Sequence, residues 1–340
     1  MWLALESSCD ETALALISEQ GKVQGEWLHS QVQKHAEYGG VVPDLAVGEH
    51  LNNFLPLLDL ALSEFDLPSL VSRIAVTCGP GLVGCLGMGI SFAKSLGLMW
   101  DIPVFGVNHL RGHAFSVFME EIAEGEIPWK TLLPHLGLLV SGGNTLLFQL
   151  SKDLEFHIIA ETVDDAAGEA LDKGAKLLGI AYPGGAKMEE IAQKGKSDAY
   201  RFPQAFSDKK EMKFSFSGLK TSLLYKIKDW TDQEIDEAKP NLCASFQQAV
   251  VGQLVRKSGQ VLKGQEFKTF GLSGGVANNE VLRYEMSRLC DQSGLTFLAA
   301  PKKYTGDNAA MIGFAAFANF SSLHSNERQS LSFNPSFRLI

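Results

Sequence analysis

The sequence lacks any cysteine pattern that would build a scaffold. Its five cysteines (Cys9, Cys78, Cys85, Cys243 and Cys290) are odd in number and never spaced as C-x-x-C. That excludes a disulfide framework or a cysteine-based zinc site and points to a reducing compartment. A long unbroken apolar run is also missing. The most apolar stretch, residues 81–100, contains Lys94 and repeated glycines, so a buried core helix is expected rather than a membrane span. The first residues, Met1-Trp2-Leu3-Ala4-Leu5-Glu6, have neither the basic start nor the long apolar core of a secretory signal; a cytoplasmic location is expected. Positive charge is scarce. The formal net charge is −9, which makes non-specific nucleic-acid binding poor, so a polynucleotide partner must meet a local basic patch or a helper subunit. Low-complexity tracts and short-period repeats are absent.

What is present is a chain of 340 residues, 45% of them hydrophobic, enough for about two domains. Residues 3–6 and 13–17 read as strands flanking the turn from Ser7 to Thr12. Leu51 to Phe65 has helical period, with leucines at Leu51, Leu55 and Leu58 and a second set at Leu57 and Leu60. Ile74–Thr77 reads as a strand entering the tight loop Cys78-Gly79-Pro80-Gly81, and Val104–Val107 as another strand, followed by Asn108-His109. Strand, loop and helix in alternation predict an α/β layer architecture. The second half repeats this grammar: apolar runs at residues 136–140 and 270–272 end in Ser141-Gly142-Gly143-Asn144 and Ser273-Gly274-Gly275. Glycine there removes the Cβ that would block a phosphate or ribose and exposes backbone N–H groups. A helical, lysine-rich segment of about residues 164–263 lies between, and a boundary is expected near residues 125–134.

Several constellations carry candidate chemistry. His109 and His113 stand four apart, on one face of a helix and within reach of one ion; by spacing alone, packing or capping histidines are commoner. The zinc-protease version needs a glutamate directly after the first histidine, and Leu110 stands there. The acidic run puts Asp165, Glu169 and Asp172 on one helical face. Thr162 with Asp165 fits a capping box, and Asp172 is suited to a ribose hydroxyl. Asp307 reads most simply as the N-cap of the apolar helix 309–317. Tyr182-Pro183-Gly184-Gly185 reads as a turn, and Asp10 and Glu11 lie in the first hairpin turn. Residues 208–228 hold Lys209, Lys210, Lys213, Lys220, Lys226 and Lys228 with Phe214, Phe216 and Tyr225 interleaved; a solvated helix face is the plainer reading, a nucleic-acid contact the sharper one.

Together these motifs resemble one family along nearly the whole chain. Glu6-Ser-Ser-Cys-Asp-Glu-Thr12, His35 through Gly39-Gly40-Val41-Val42-Pro43 to His50, Thr77-Cys-Gly-Pro-Gly-Leu-Val-Gly84 and Asn108-His109 with Gly112-His113 fit it. So do Val140-Ser-Gly-Gly143, Asp164-Asp-Ala-Ala-Gly-Glu-Ala170 with Asp172-Lys173, and Tyr182-Pro-Gly-Gly185. Phe214-Ser-Phe-Ser-Gly-Leu-Lys-Thr221, Gly274-Gly-Val276 and Asp307-Asn308 complete the set. The chain resembles the tRNA N6-adenosine threonylcarbamoyltransferases (TsaD, once called Gcp or O-sialoglycoprotein endopeptidase), in their bacterial or organellar branch.

The resemblance implies a two-lobed actin-like, Hsp70-like (ASKHA) α/β fold of duplicated domains with a nucleotide cleft. Residues 1–131, completed by a helix at about 309–325, would form one lobe; residues 132–308, with a helical insertion at about 186–263, the other. It implies transfer of threonylcarbamoyl from threonylcarbamoyl-AMP to N6 of adenosine 37 in tRNAs reading ANN codons. By matched position His109, His113 and Asp307 would hold one divalent ion, Fe2+ or Zn2+. Ser141, Gly142, Gly143, Asn144, Asp172, Gly185 and Asn279 would hold the adenine nucleotide, as threonylcarbamoyl-AMP or as ATP or ADP. Asp10 or Glu11 would assist proton removal. The implied partners are tRNA, a TsaB-type paralogue, a TsaE-type ATPase and a TsaC-type synthase, with no membrane. Three positions depart from the pattern: Asn144 for a histidine, Arg111 for a glutamate and Asn278 for an alanine. The alternatives are a metal-dependent glycoprotein endopeptidase, which lacks its base here, a non-catalytic scaffold, against which the retained metal and glycine motifs speak, and a small-molecule kinase, which has no use for the histidines.

Overall fold

The computed structural model describes residues 1–208, 211–264, 266–320, 323–325 and 331–340. The chain divides into two compact units, Met1–Trp129 with Lys303–Ile340, and Lys130–Lys302. Return to the first unit thus begins at Lys303, ahead of the helix from about residue 309 that was expected to complete it, and takes Asp307 along.

The first unit runs β1 (Trp2–Glu6), β2 (Glu11–Ile17), β3 (Val23–Ser30), α1 (Val32–Ala36), α2 (Pro43–Glu64), α3 (Leu67–Leu70), β4 (Arg73–Gly79), α4 (Val83–Trp100), β5 (Val104–Asn108) and α5 (His109–Ser116). After α6 (Trp129–Leu132), the second unit runs β6 (His135–Val140), β7 (Thr145–Leu150), β8 (Phe156–Glu161), α7 (Ala167–Leu177), α8 (Gly184–Ala192), α9 (Ser217–Ile227), α10 (Asp232–Leu262), β9 (Thr269–Ser273), α11 (Glu280–Ser293) and β10 (Thr296–Ala299). Helix α12 (Ala309–Ala318) and the short β11 (His324–Ser325) belong to the first unit. The helix expected over about 309–325 is therefore shorter, and its last residues form a strand instead.

The two sheets have one plan. Their orders are β11-β5-β4-β1-β2-β3 and β10-β9-β6-β7-β8. In each, three antiparallel strands are followed by two strands parallel to the first of them. Parallel neighbours need a crossover. Helices α1–α3 and α4 supply it in the first unit, α7–α10 and α11 in the second. Strand β1 is buried at every residue, as expected of a central strand covered on both faces.

Helix α2 starts earlier than its leucine pattern, at Pro43, which is pre-set for a first turn. Its core face is Phe54, Leu57, Leu58 and Ala61, while Leu51, Leu55 and Leu60 are 63%, 59% and 54% exposed. Of the two leucine sets, only Leu57 and Leu58 face inward. Helix α4 is long and apolar enough to cross a membrane by composition alone. It is the crossover between β4 and β5, and Cys85, Leu86, Ile90, Ala93 and Leu96 face the interior.

Helix α7 has no cap from its own N-cap residue, Ala166, and its first N–H, that of Ala167, donates to the Thr145 hydroxyl at 2.8 Å. The expected capping box is not formed, because the Thr162 hydroxyl donates to the Asp165 carbonyl at 2.7 Å. Asp164 instead serves the start of α9. Its carboxylate accepts from the Ser215 and Ser217 hydroxyls at 2.5 and 2.7 Å and from the Phe216 and Ser217 N–H groups at 2.8 and 3.3 Å. Burial opposes ionisation of Asp164, but the Ser215 and Ser217 hydroxyls and the two amides outweigh it and hold its pKa below the ordinary value. Loss of this cap in Asp164→Ala should lower stability by about 1–2 kcal/mol in urea unfolding. A depressed folded-state pKa gives stability that is present above the unfolded value and disappears as pH falls through the folded one. The gap between wild type and Asp164→Asn should therefore close below about pH 4; an equal gap at pH 3 and pH 7 would show that the ionised carboxylate is not the cap.

Candidate functional site

The first unit gathers a cluster at the end of β5. Asn108 closes that strand and caps α5, its Oδ1 accepting the N–H groups of Leu110 and Arg111 at 2.8 and 3.3 Å. One helical turn then sets His109 and His113 together, rings 4.8 Å apart and nearly perpendicular. Asp307 Oδ1 lies 3.4 Å from His109 Nε2 and 3.0 Å from His113 Nε2. One ligand atom from each of the three lies within 4.8 Å of the others. Asp307 is not the cap of α12. That role belongs to Asn308, whose Oδ1 accepts the Met311 N–H at 2.8 Å. The Asp307 side chain is thereby left to face the histidines.

Behind His109 stands a residue to which sequence reasoning gave no role. Glu6, fully buried at the end of β1, places Oε2 3.0 Å from His109 Nδ1 and accepts the Thr77 hydroxyl at 2.6 Å and the Ser8 N–H. Ser8 Oγ is 3.2 Å from the same imidazole nitrogen. The available signal was a carboxylate closing the wholly apolar run Trp2–Leu5. A buried charge there needs a partner. Burial disfavours a charged His109, but Asp307 and Glu6 outweigh it and hold its pKa well above the usual value. Burial likewise opposes ionised Glu6 and Asp307, and His109 keeps both below the carboxylate range.

The donor set fits a divalent cation. Two imidazoles and one carboxylate converge, and a further carboxylate orients one ring through its distal nitrogen. Arg111 does not join this shell. Its Nε donates to the Leu339 carbonyl at 3.2 Å. Asp10 is buried and Glu11 opens β2 beside it. Burial, with the carboxylates of Asp10 and Asp307, pushes Glu11 up to about 10.

The second unit gathers glycine loops. The turn after β6 is closed by Asn144 N–H on Ser141 Oγ at 3.0 Å and by Ser141 N–H on the Asn144 carbonyl at 2.8 Å. Gly142 and Gly143 are exposed, with no heavy atom within 4 Å of a Cβ built on either. A Cβ on Gly168, in the first turn of α7, would sit 2.6 Å from the Ser141 carbonyl, and one on Gly274 (φ +88°) 2.3 Å from that of Val140. Glycine therefore lets α7 and both Ser-Gly-Gly loops close on the end of β6. Asp172 Oδ1 accepts the N–H groups of Gly184 and Gly185 at 2.9 and 2.8 Å, joining α7 to the start of α8. Asn279 is buried and caps α11 by accepting the Leu282 N–H at 2.9 Å, while its amide donates to Gln247 at 2.9 Å. Asn278 is exposed. Phe214 and Phe216 are core residues, so they are no platform for bases; Lys213, Lys220, Lys228 and Tyr225 are exposed, and Lys209 and Lys210 fall outside the described residues.

The family model described as tRNA N6-adenosine threonylcarbamoyltransferase (TsaD) matches residues 22–314. The chain belongs to the TsaD family. It is 41% identical over 315 residues to the tRNA N6-adenosine threonylcarbamoyltransferase of Anaeromyxobacter dehalogenans, covering 92% of each chain. It is 40% identical over 320 residues to that of Thermosipho africanus, covering 93% of each. Among solved structures, full-length HypF in its phosphate- and nucleotide-bound form is 15% identical, with a TM-score of 0.59 over 94% of this chain and 46% of that one. Component A of the Acidaminococcus fermentans (R)-2-hydroxyglutaryl-CoA dehydratase is 14% identical, with a TM-score of 0.53 over 94% and 99%. The fold of this TsaD-family chain is the duplicated actin-like α/β fold that its motifs imply.

If His109, His113 and Asp307 are ligands, His109→Ala and Asp307→Ala should each lose the bound divalent ion by elemental analysis. Glu6→Gln should keep the ligands but weaken affinity by about 10–100-fold. Unchanged metal content in both alanine variants would overturn the assignment.

Proposed function

We propose that this chain transfers the threonylcarbamoyl group from threonylcarbamoyl-AMP to N6 of adenosine 37 in tRNAs that read ANN codons. The observation that carries the reading is the convergence of His109, His113 and Asp307, escorted by Glu6, in a chain of this family. The three would hold one divalent cation, Fe2+ or Zn2+. When bound, such an ion would supply Lewis acidity for a carbamoyl or phosphate oxygen. Glu6 fixes the His109 ring so that Nε2 faces the ion site.

The bare amides of Gly142 and Gly143 suit the phosphate of an adenylate. In this reading Ser141, Asn144, Asp172, Gly185 and Asn279 complete the nucleotide site. Asp172 acts by pinning Gly184 and Gly185. Asn279, already shared between Leu282 and Gln247, acts by holding the start of α11. N6 of the adenosine forms a bond to the carbamoyl carbon, the bond from that carbon to the phosphate oxygen breaks, AMP leaves, and N6 loses a proton. Asp10 or Glu11, adjacent at the first hairpin turn, would assist its removal. Positioning matters more than a covalent intermediate, because the exocyclic amine is a weak nucleophile.

We infer a cytoplasmic setting in which a TsaC-type synthase supplies the adenylate and a TsaB-type paralogue and a TsaE-type ATPase assist. Family membership supports these partners, and the exposed Lys213, Lys220 and Lys228 are offered as one edge for tRNA. An endopeptidase would need a solvent-accessible general base beside the histidines. Glu6 has no solvent exposure and Leu110 is apolar and buried, which disfavours that reading.

With threonylcarbamoyl-AMP, an unmodified ANN-decoding tRNA and the TsaB- and TsaE-type partners, nucleoside mass spectrometry should show threonylcarbamoyl-adenosine. Absence of the modified nucleoside with all components present would sink the reading.

A further inference from the structure

We propose that the segment at residues 338–339 is a positioning strap for the histidine helix, acting through the side chain of Asn108. The inference rests on the metal reading above and concerns how the ligands are held. Helix α5 has eight residues, too short to be stable alone. Its start depends on Asn108, whose amide looks two ways. Oδ1 caps Leu110 and Arg111, and Nδ2 donates to the Arg338 carbonyl at 2.6 Å. That second bond decides which end of the amide faces the helix. Two residues into α5, Arg111 Nε donates to the next carbonyl of the same segment, that of Leu339.

The segment is itself well anchored. Lys94 donates to the Leu331 carbonyl at 2.7 Å, Asn334 N–H to the Cys78 carbonyl at 2.8 Å, and Gly81 N–H to the Pro335 carbonyl at 3.2 Å. Leu331 and Leu339 are buried. Residues 331–339 thus bridge α4, the end of β4 and the start of α5. Asp307 arrives on a separate segment, capped through Asn308. The Nε2 atoms of His109 and His113 meet Asp307 only if α5 sits in one register, and the strap fixes that register. Both links use main-chain carbonyls of the strap, so the identities of the Arg338 and Leu339 side chains do not carry them.

The test is Co2+ binding by the full chain, its Asn108→Ser variant, a truncation removing residues 338–340, and the two combined. Serine keeps a capping oxygen but lacks the Nδ2 donor. Asn108→Ser and the truncation should each weaken Co2+ binding by about tenfold, as removal of an outer-shell partner does. Each should also shift the visible absorption of the loaded protein, which general destabilisation would not. The combined variant should be no weaker than the truncation, since both changes break the same bond. If the truncation fails to fold by far-UV circular dichroism, Asn108→Ser carries the test alone. Wild-type affinity and spectrum in Asn108→Ser would overturn the strap while leaving the metal site standing. Failure of the wild type to bind Co2+ would overturn the metal reading and the strap with it.

Discussion

A carboxylate without solvent exposure ends the central strand of the first sheet, and the arrangement around it follows from that burial. An unpaired buried charge costs several kcal/mol. Glu6 is matched on every side the structure shows: the Ser8 N–H on Oε1, the Thr77 hydroxyl and the His109 ring on Oε2. His109 is in turn held at its other nitrogen by Asp307. The chain Glu6–His109–Asp307–His113 thus links β1, α5 and the loop before α12. Packing histidines alone would not need a carboxylate at both ring nitrogens. An imidazole steered from behind toward a second imidazole and an acid is what a cation site requires.

The duplication of the fold gives this polarity a counterpart. Each unit has a first hairpin turn in the same place, after β1 and after β6. The first turn is flanked by Glu6, Asp10 and Glu11; the second holds Gly142 and Gly143, with bare amides and no side chains. One backbone plan is used once to collect negative charge and once to present N–H groups. Acids draw cations and a bare-amide turn draws anions, so the two turns differ in the charge they favour by side-chain choice rather than by fold.

Much of this was legible in the sequence because it depends on local rules. The strands at residues 3–6, 74–77, 104–107, 136–140 and 270–272 stand where apolar runs end in turn residues, and the four-residue histidine spacing survives because a helix carries it. What was misread depends on competition between neighbours. Asp307 and Asn308 both suit a cap, and only the helix start decides that Asn308 takes it. Thr162 and Asp165 match a capping box, but the helix begins at Ala167, out of their reach. The leucines of α2 outnumber the positions its core face offers, so Leu51, Leu55, Leu60 and Leu62 face outward. Glu6, read only as the end of a strand, was given no role because its partners, Thr77 and His109, lie far along the chain.

The departures from the family pattern can be weighed by what their atoms do. At residue 144 both bonds that close the turn are made by the main chain, so asparagine in place of histidine leaves the loop as it is and changes only what the side chain offers a ligand. At residue 111 arginine turns away from the ion site toward the Leu339 carbonyl. A glutamate there could not donate that bond, so arginine belongs with the strap rather than with the metal. At residues 278 and 279 exposure separates the pair: Asn279 is buried as a cap, while Asn278 is exposed. All three changes fall on side chains that do not build the two turns or the histidine cluster, which is why the motifs around them keep their geometry.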